Sequence, residues 1–156
     1  MDGTAFPVHD PVRYLTGRWR LDRRIVDERS GQTGTFVGAA EFRPAGDGLW
    51  YRESGELEFG GHRGEAWREL SYRRGDGTVL RVEFDDGRYF HDLDLSVGRW
   101  AVTHPCRADE YEGEFGIEGP DRWWQDWRVT GPAKDQRFRT DFHRLSGDVV
   151  GAVDPN

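Results

Sequence analysis

Residues 79–106 read VLRVEFDDGRYFHDLDLSVGRWAVTHPC, and two turn signals divide this run into three pieces of strand length. Asp86-Gly87 is a strong hairpin signal, because a two-residue turn needs left-handed backbone that aspartate and glycine tolerate. With that turn as the axis, Phe84 faces Tyr89, Val82 faces His91 and Leu80 faces Leu93. Val97-Gly98 turns the next pair, so Leu95 faces Trp100, Leu93 faces Val102, His91 faces His104 and Tyr89 faces Cys106. Both hairpins put the same residues on one face, and a slip of one residue in either would turn an apolar set outward. The expectation is a three-stranded antiparallel unit with one apolar and one charged face.

The same alternation extends in both directions. Turn signals stand at Gly31, Gly46-Asp47-Gly48, Gly60-Gly61, Gly75-Asp76-Gly77, Gly116 to Pro120 and Gly131-Pro132. Between them, one face collects Trp19, Leu21 and Ile25, then Phe36, Ala40 and Phe42, then Leu49, Tyr51 and Leu57, then Ala66, Leu70 and Tyr72. After the central unit come Tyr111 and Phe115, then Trp123, Trp127 and Val129, then Phe138 and Phe142. A meander of this many strands hides its apolar face and its edges by closing on itself. The pattern predicts an all-β fold, a single antiparallel up-and-down β-barrel of about ten strands. A short helical turn near Pro11 to Thr16 precedes the barrel, whose domain is expected over residues 1–146, with a flexible tail at 147–156.

Composition narrows the function classes. A chain of 156 residues suits one core. Its net charge of -7 argues against nucleic acid or an anionic membrane as partner, since phosphate contacts need a concentrated positive surface. No apolar run is long enough to span a bilayer, and Met1 to Asp10 lacks the basic region and apolar core of a signal peptide, so the expected location is the cytoplasm. Cys106 is the only cysteine, which rules out an internal disulfide. Of 22 basic residues only Lys134 is lysine, a bias that fits a GC-rich, bacterial genome. Nothing in the sequence sets the oligomeric state.

Leu15-Thr16-Gly17-Arg18-Trp19 resembles the Gly-x-Trp signature that opens the first strand of lipocalins and related calycins. In that superfamily a late arginine packs over the first-strand tryptophan and closes one end of the barrel; Arg144, on the parity of Phe138 and Phe142, is the matching residue for Trp19. A count near ten strands resembles the fatty-acid-binding and nitrobindin-like branches. The run through His91, His104-Pro105-Cys106, Asp109, Tyr111 and Gly131-Pro132 is similar to an uncharacterised family of small bacterial calycin-like proteins. Nitrobindin-like proteins hold haem through a late histidine, and His143, the nearest in position, falls on the outward parity.

The expected function is a small-molecule binding protein that takes a largely apolar or aromatic ligand with a polar handle. Tyr89, Trp100, Trp123 and Trp127 are expected as pocket walls, and His91, His104, Cys106, Tyr111 and Arg68 as the groups that orient the ligand. Arg68 shares the parity of Ala66, Leu70 and Tyr72, so either a bulge near Gly64 turns it outward or, inside an apolar barrel, it needs a carboxylate partner or an anionic ligand. In fatty-acid-binding relatives interior arginines hold a ligand carboxylate. An alternative is a cofactor-independent isomerase, cyclase or decarboxylase in which His104 or His91, with Tyr111 and Asp109, moves protons on an enclosed substrate. A second alternative is haem or metal binding by the opposed histidines with Cys106 and Asp109, although their spacing matches no established metal motif and no cofactor is expected. The absence of a phosphate-binding glycine loop and of a nucleophile elbow disfavours nucleotide use and standard hydrolase chemistry.

Overall fold

The computed structural model describes residues 5–145; residues 1–4 and 146–156, the expected tail among them, lie outside it. A helix, α1 (Pro11–Leu15), precedes ten strands: β1 (Gly17–Asp27), β2 (Thr33–Ala45), β3 (Gly48–Phe59), β4 (His62–Arg74), β5 (Val79–Phe84), β6 (Tyr89–Asp94), β7 (Arg99–Cys106), β8 (Asp109–Gly119), β9 (Arg122–Thr130) and β10 (Asp135–Arg144). The strands form one antiparallel sheet in the order β6-β5-β4-β3-β2-β1-β10-β9-β8-β7. Because β1 pairs with β10 as well as with β2, the sheet rolls into a nearly closed barrel, as the sequence predicts. No described helix is long and apolar enough to cross a membrane.

Alternation builds the wall, and glycine lets it bend. Gly38 faces Gly55 across the β2–β3 ladder, where a Cβ on Gly38 would stand 2.0 Å from the Ser54 carbonyl oxygen and one on Gly55 2.3 Å from that of Val37. Only two glycines let the backbones approach that closely and turn the sheet back on itself.

One end of the barrel is sealed. Asp10 caps α1 by accepting a hydrogen bond from the Arg13 amide, and Pro11 starts the helix with no amide to satisfy. The helix lies beneath Trp19, which is fully buried and donates its indole N–H to the Leu15 carbonyl at 2.9 Å. Arg144 covers the other side of the ring, with Cζ 4.2 Å from its centroid. Its guanidinium donates to the carbonyls of Tyr14, Thr16 and Pro120 and pairs with Asp121. Arg144→Met keeps the apolar stem but leaves the Tyr14 and Thr16 carbonyls without this donor. A loss of about 2 kcal/mol in urea unfolding is expected; a change below about 0.5 kcal/mol would show that the clamp is idle.

Across β5, β6 and β7 the barrel departs from the expected register. Leu80–Leu93 and Val82–His91 pair as predicted, but beyond Val82 the ladder shifts so that Glu83, and not Phe84, faces Tyr89. The extra residue is Phe90, a bulge that turns Tyr89 outward and buries Phe90 in its place. β6 and β7 form no ladder; they are the two edges of the sheet, so the expected pairs Leu95–Trp100, Leu93–Val102, His91–His104 and Tyr89–Cys106 are absent. The physical reason lies in the N-terminal segment, whose Phe6 amide donates to the Ile117 carbonyl and whose Val8 amide donates to the Leu95 carbonyl. It wedges into the base of the hairpin at Gly98, whose φ is 79° and whose Cβ, if present, would stand 2.6 Å from the Phe6 carbonyl oxygen. Higher up, the Trp100 indole spans the seam and donates to the Asp92 carbonyl at 2.8 Å.

Candidate functional site

The interior divides into a packed lower half and a hollow upper half. Below, Trp123 stacks on Phe142 with centroids 4.0 Å apart and meets Trp19 edge-on, so Trp123 belongs to the core and not to a pocket wall. Above, a cavity of about 350 Å³ opens toward the hairpin loops, lined on its apolar side by Ile25, Phe36, Leu57, Phe90, Trp127 and Phe138. That volume lies in the range of small-molecule sites. Trp127 donates its indole N–H to the Gln125 amide oxygen, so the face it offers the cavity is apolar.

The cavity floor carries a charged cluster. Arg23, between Leu21 and Ile25 on β1, makes a bidentate pair with Glu53 on β3, at 2.7 and 2.9 Å, and donates through Nε to Thr140 on β10. Glu53 is 3% exposed and also accepts from the Tyr51 hydroxyl at 2.5 Å and from Arg68 at 3.4 Å. Burial alone would raise the Glu53 carboxyl, but Arg68 and Arg23 outweigh it and hold its pKa down to about 2. The carboxylate is saturated. Arg68 is not: its one bond in the cluster is long, and 47% of its side-chain surface stays accessible on the cavity wall. Two guanidiniums against one carboxylate leave the floor with a net positive charge.

His91 completes the polar lining. It is buried beside Phe90, Phe115 and Trp127, with ring centroids at 4.6, 5.6 and 5.2 Å, and its Nδ1 lies 2.8 Å from the Asp92 carbonyl oxygen. Burial pushes its pKa down to about 4, against the opposing effect of that hydrogen bond, so the ring is neutral near pH 7.

The other expected site residues are dispersed. Tyr111, Trp127 and Arg68 line the cavity with His91. His104 and Cys106 are half-buried on β7 beside the seam, outside the cavity lining, with the His104 ring 5.5 Å from that of Phe90. Trp100 is also half-buried there, its indole on the seam. Tyr89 is on the outer surface under Arg81. Asp109 pairs at the rim with Lys134 at 3.2 Å. Among the described residues no three His, Cys, Asp or Glu side chains converge as a metal centre, so the grouping of His91, His104, Cys106 and Asp109 raised as a second alternative does not form one.

The profile described as "Family of unknown function (DUF6314)" matches residues 15–144, the span from the last residue of α1 to the last of β10. The chain belongs to this family. No curated protein matches it. Among solved structures, this DUF6314 chain is similar to the S-type phycobiliprotein lyase CPES from Guillardia theta, with a TM-score of 0.62 and 10% identity over 90% of this chain and 94% of that one. It is also similar to a protein with unknown function from the DUF3598 family of Nostoc punctiforme, with a TM-score of 0.63 and 13% identity over 93% of this chain and 52% of that one. At these identities the likeness is one of fold.

Proposed function

We propose that this chain is a small-molecule binding protein of calycin-like build, which holds an aromatic or largely apolar ligand in the barrel with an anionic group on Arg68. The observation that carries the reading is the unsaturated guanidinium of Arg68, set on the wall of an otherwise aromatic and aliphatic cavity, beside a carboxylate already saturated by Arg23 and Tyr51. A net positive floor beside apolar walls attracts an anion, because a charge-assisted hydrogen bond is stronger than one between neutral groups. The fold likeness to a phycobiliprotein lyase is consistent with a barrel of this build serving small-molecule binding.

Calorimetric titration with naphthoate and with its uncharged amide tests the reading. The carboxylate is expected to bind more tightly, and Arg68→Met to weaken it about tenfold while moving the amide less than about twofold. Equal affinity for both probes, or binding of neither, would overturn it. Recovery of chemically altered probe would point to the cofactor-independent enzyme instead, with His91 and Tyr111 as the cavity-lining acid–base groups.

A further inference from the structure

His91 holds one fixed tautomer. A carbonyl oxygen only accepts, so the 2.8 Å contact with Asp92 requires the proton on Nδ1 and leaves Nε2 with a lone pair. The ring lines the cavity, enclosed by the rings of Phe90, Phe115 and Trp127, which have no donor to offer: the Trp127 N–H is bound to Gln125, and the others are phenyl groups. Among the described residues the Asp92 carbonyl is the one hydrogen-bond partner of this imidazole. Among the described residues the buried side-chain atoms without a partner are Trp123 Nε1 and Arg139 Nε, so His91 Nε2 keeps access to the cavity and its donor comes from whatever fills that space.

We infer that His91 Nε2 is a specificity element that accepts a hydrogen bond from an O–H or N–H of the ligand, which makes the preferred ligand class a planar aromatic acid bearing such a donor. This rests on the proposed anion-binding role of Arg68 and adds a second point of recognition to it. The stacked walls, Trp127 and Phe90 with centroids 5.2 Å apart and 20° between planes, favour flat rings. Arg68 reads the anion and His91 reads the donor, so a ligand with both groups is oriented as well as held. Water can occupy Nε2 when the cavity is empty, and a ligand that displaces it without offering a donor loses that bond.

The test uses hydroxynaphthoate isomers, each paired with its methoxy ether, since the ether keeps the ring and carboxylate but cannot donate. At least one isomer is expected to bind about tenfold more tightly than its ether, and His91→Phe to remove that preference while the ether still binds in an Arg68-dependent manner. Nitrogen NMR of histidine-labelled wild-type protein gives a readout that does not depend on a variant folding: the Nε2 signal is expected to move with the hydroxy probe and not with its ether. If every pair binds alike while naphthoate remains Arg68-dependent, the inference is overturned and the binding function survives. A preference that persists in His91→Phe also overturns it, because the acceptor then lies elsewhere. If no naphthoate binds at all, both readings fall.

Discussion

Glu53→Gln is expected to lower the stability of the barrel by about 3–5 kcal/mol at pH 7, in spite of being nearly isosteric. The substitution removes the one carboxylate that lines the cavity among the described residues and leaves the Arg23 guanidinium, whose side chain is 14% accessible, without a counter-charge. A single amide oxygen replaces two carboxylate oxygens that together accept from Arg23, Tyr51 and Arg68. Breaking one half of a buried ion pair costs more than removing both halves, because the remaining charge stays desolvated. Replacing Arg23 and Glu53 together by methionine is therefore expected to recover part of the loss, which a sum of independent effects would not allow. Urea unfolding of the three proteins measures this, and a Glu53→Gln cost below about 1 kcal/mol would mean that water in the cavity already solvates the cluster. The same variant links stability to binding. With the carboxylate gone, Arg68 and Arg23 both face the cavity uncompensated, so Glu53→Gln is expected to bind naphthoate more tightly than the wild type.

The Glu53–Arg68 pair was within reach of the sequence. Taking Gly60-Gly61 as a two-residue turn places Phe59 opposite His62 and, counting down both strands, Glu53 opposite Arg68, the register that the β3–β4 ladder shows. The inward parity of Arg68 announces a need for a partner, and the facing strand supplies it. Arg23 carried the same parity signal between Leu21 and Ile25, but its partner Thr140 lies on the last strand, and no turn links β1 to β10. Such long-range pairing follows from barrel closure and not from local arithmetic. Trp19, Leu21 and the other alternating apolar residues were legible because a strand has only two faces. Tyr89 was not: the bulge at Phe90 shifts parity by one, and nothing in the composition of Arg88-Tyr89-Phe90-His91 distinguishes which aromatic ring turns inward. The open seam was hidden for a different reason. It depends on where Phe6 and Val8 dock, a tertiary contact from the far end of the chain.

Acid is expected to unfold the barrel in two steps of similar size, both originating in the cavity wall. His91 ordinarily titrates near 6.5 and is held near 4 in the fold, so between those values the unfolded chain binds a proton that the folded chain refuses. Stability from this group is complete above pH 6.5 and falls by about 3 kcal/mol as the pH drops toward 4. Glu53 takes over lower down: ordinarily near 4.5 and held near 2 by Arg68 and Arg23, it contributes stability above pH 4.5 that is lost, again about 3 kcal/mol, on the way to pH 2. Together these losses rival the whole stability of a typical domain, about 5–15 kcal/mol, which places acid unfolding within the lower window. Urea midpoints across the range resolve the two steps. His91→Phe is expected to flatten the upper step and leave the lower one, since the two groups belong to different parts of the wall. A stability that stays constant from pH 7 to 4.5 would show that the imidazole takes up its proton without cost, and hence that it is not confined to the acceptor role the cavity assigns it.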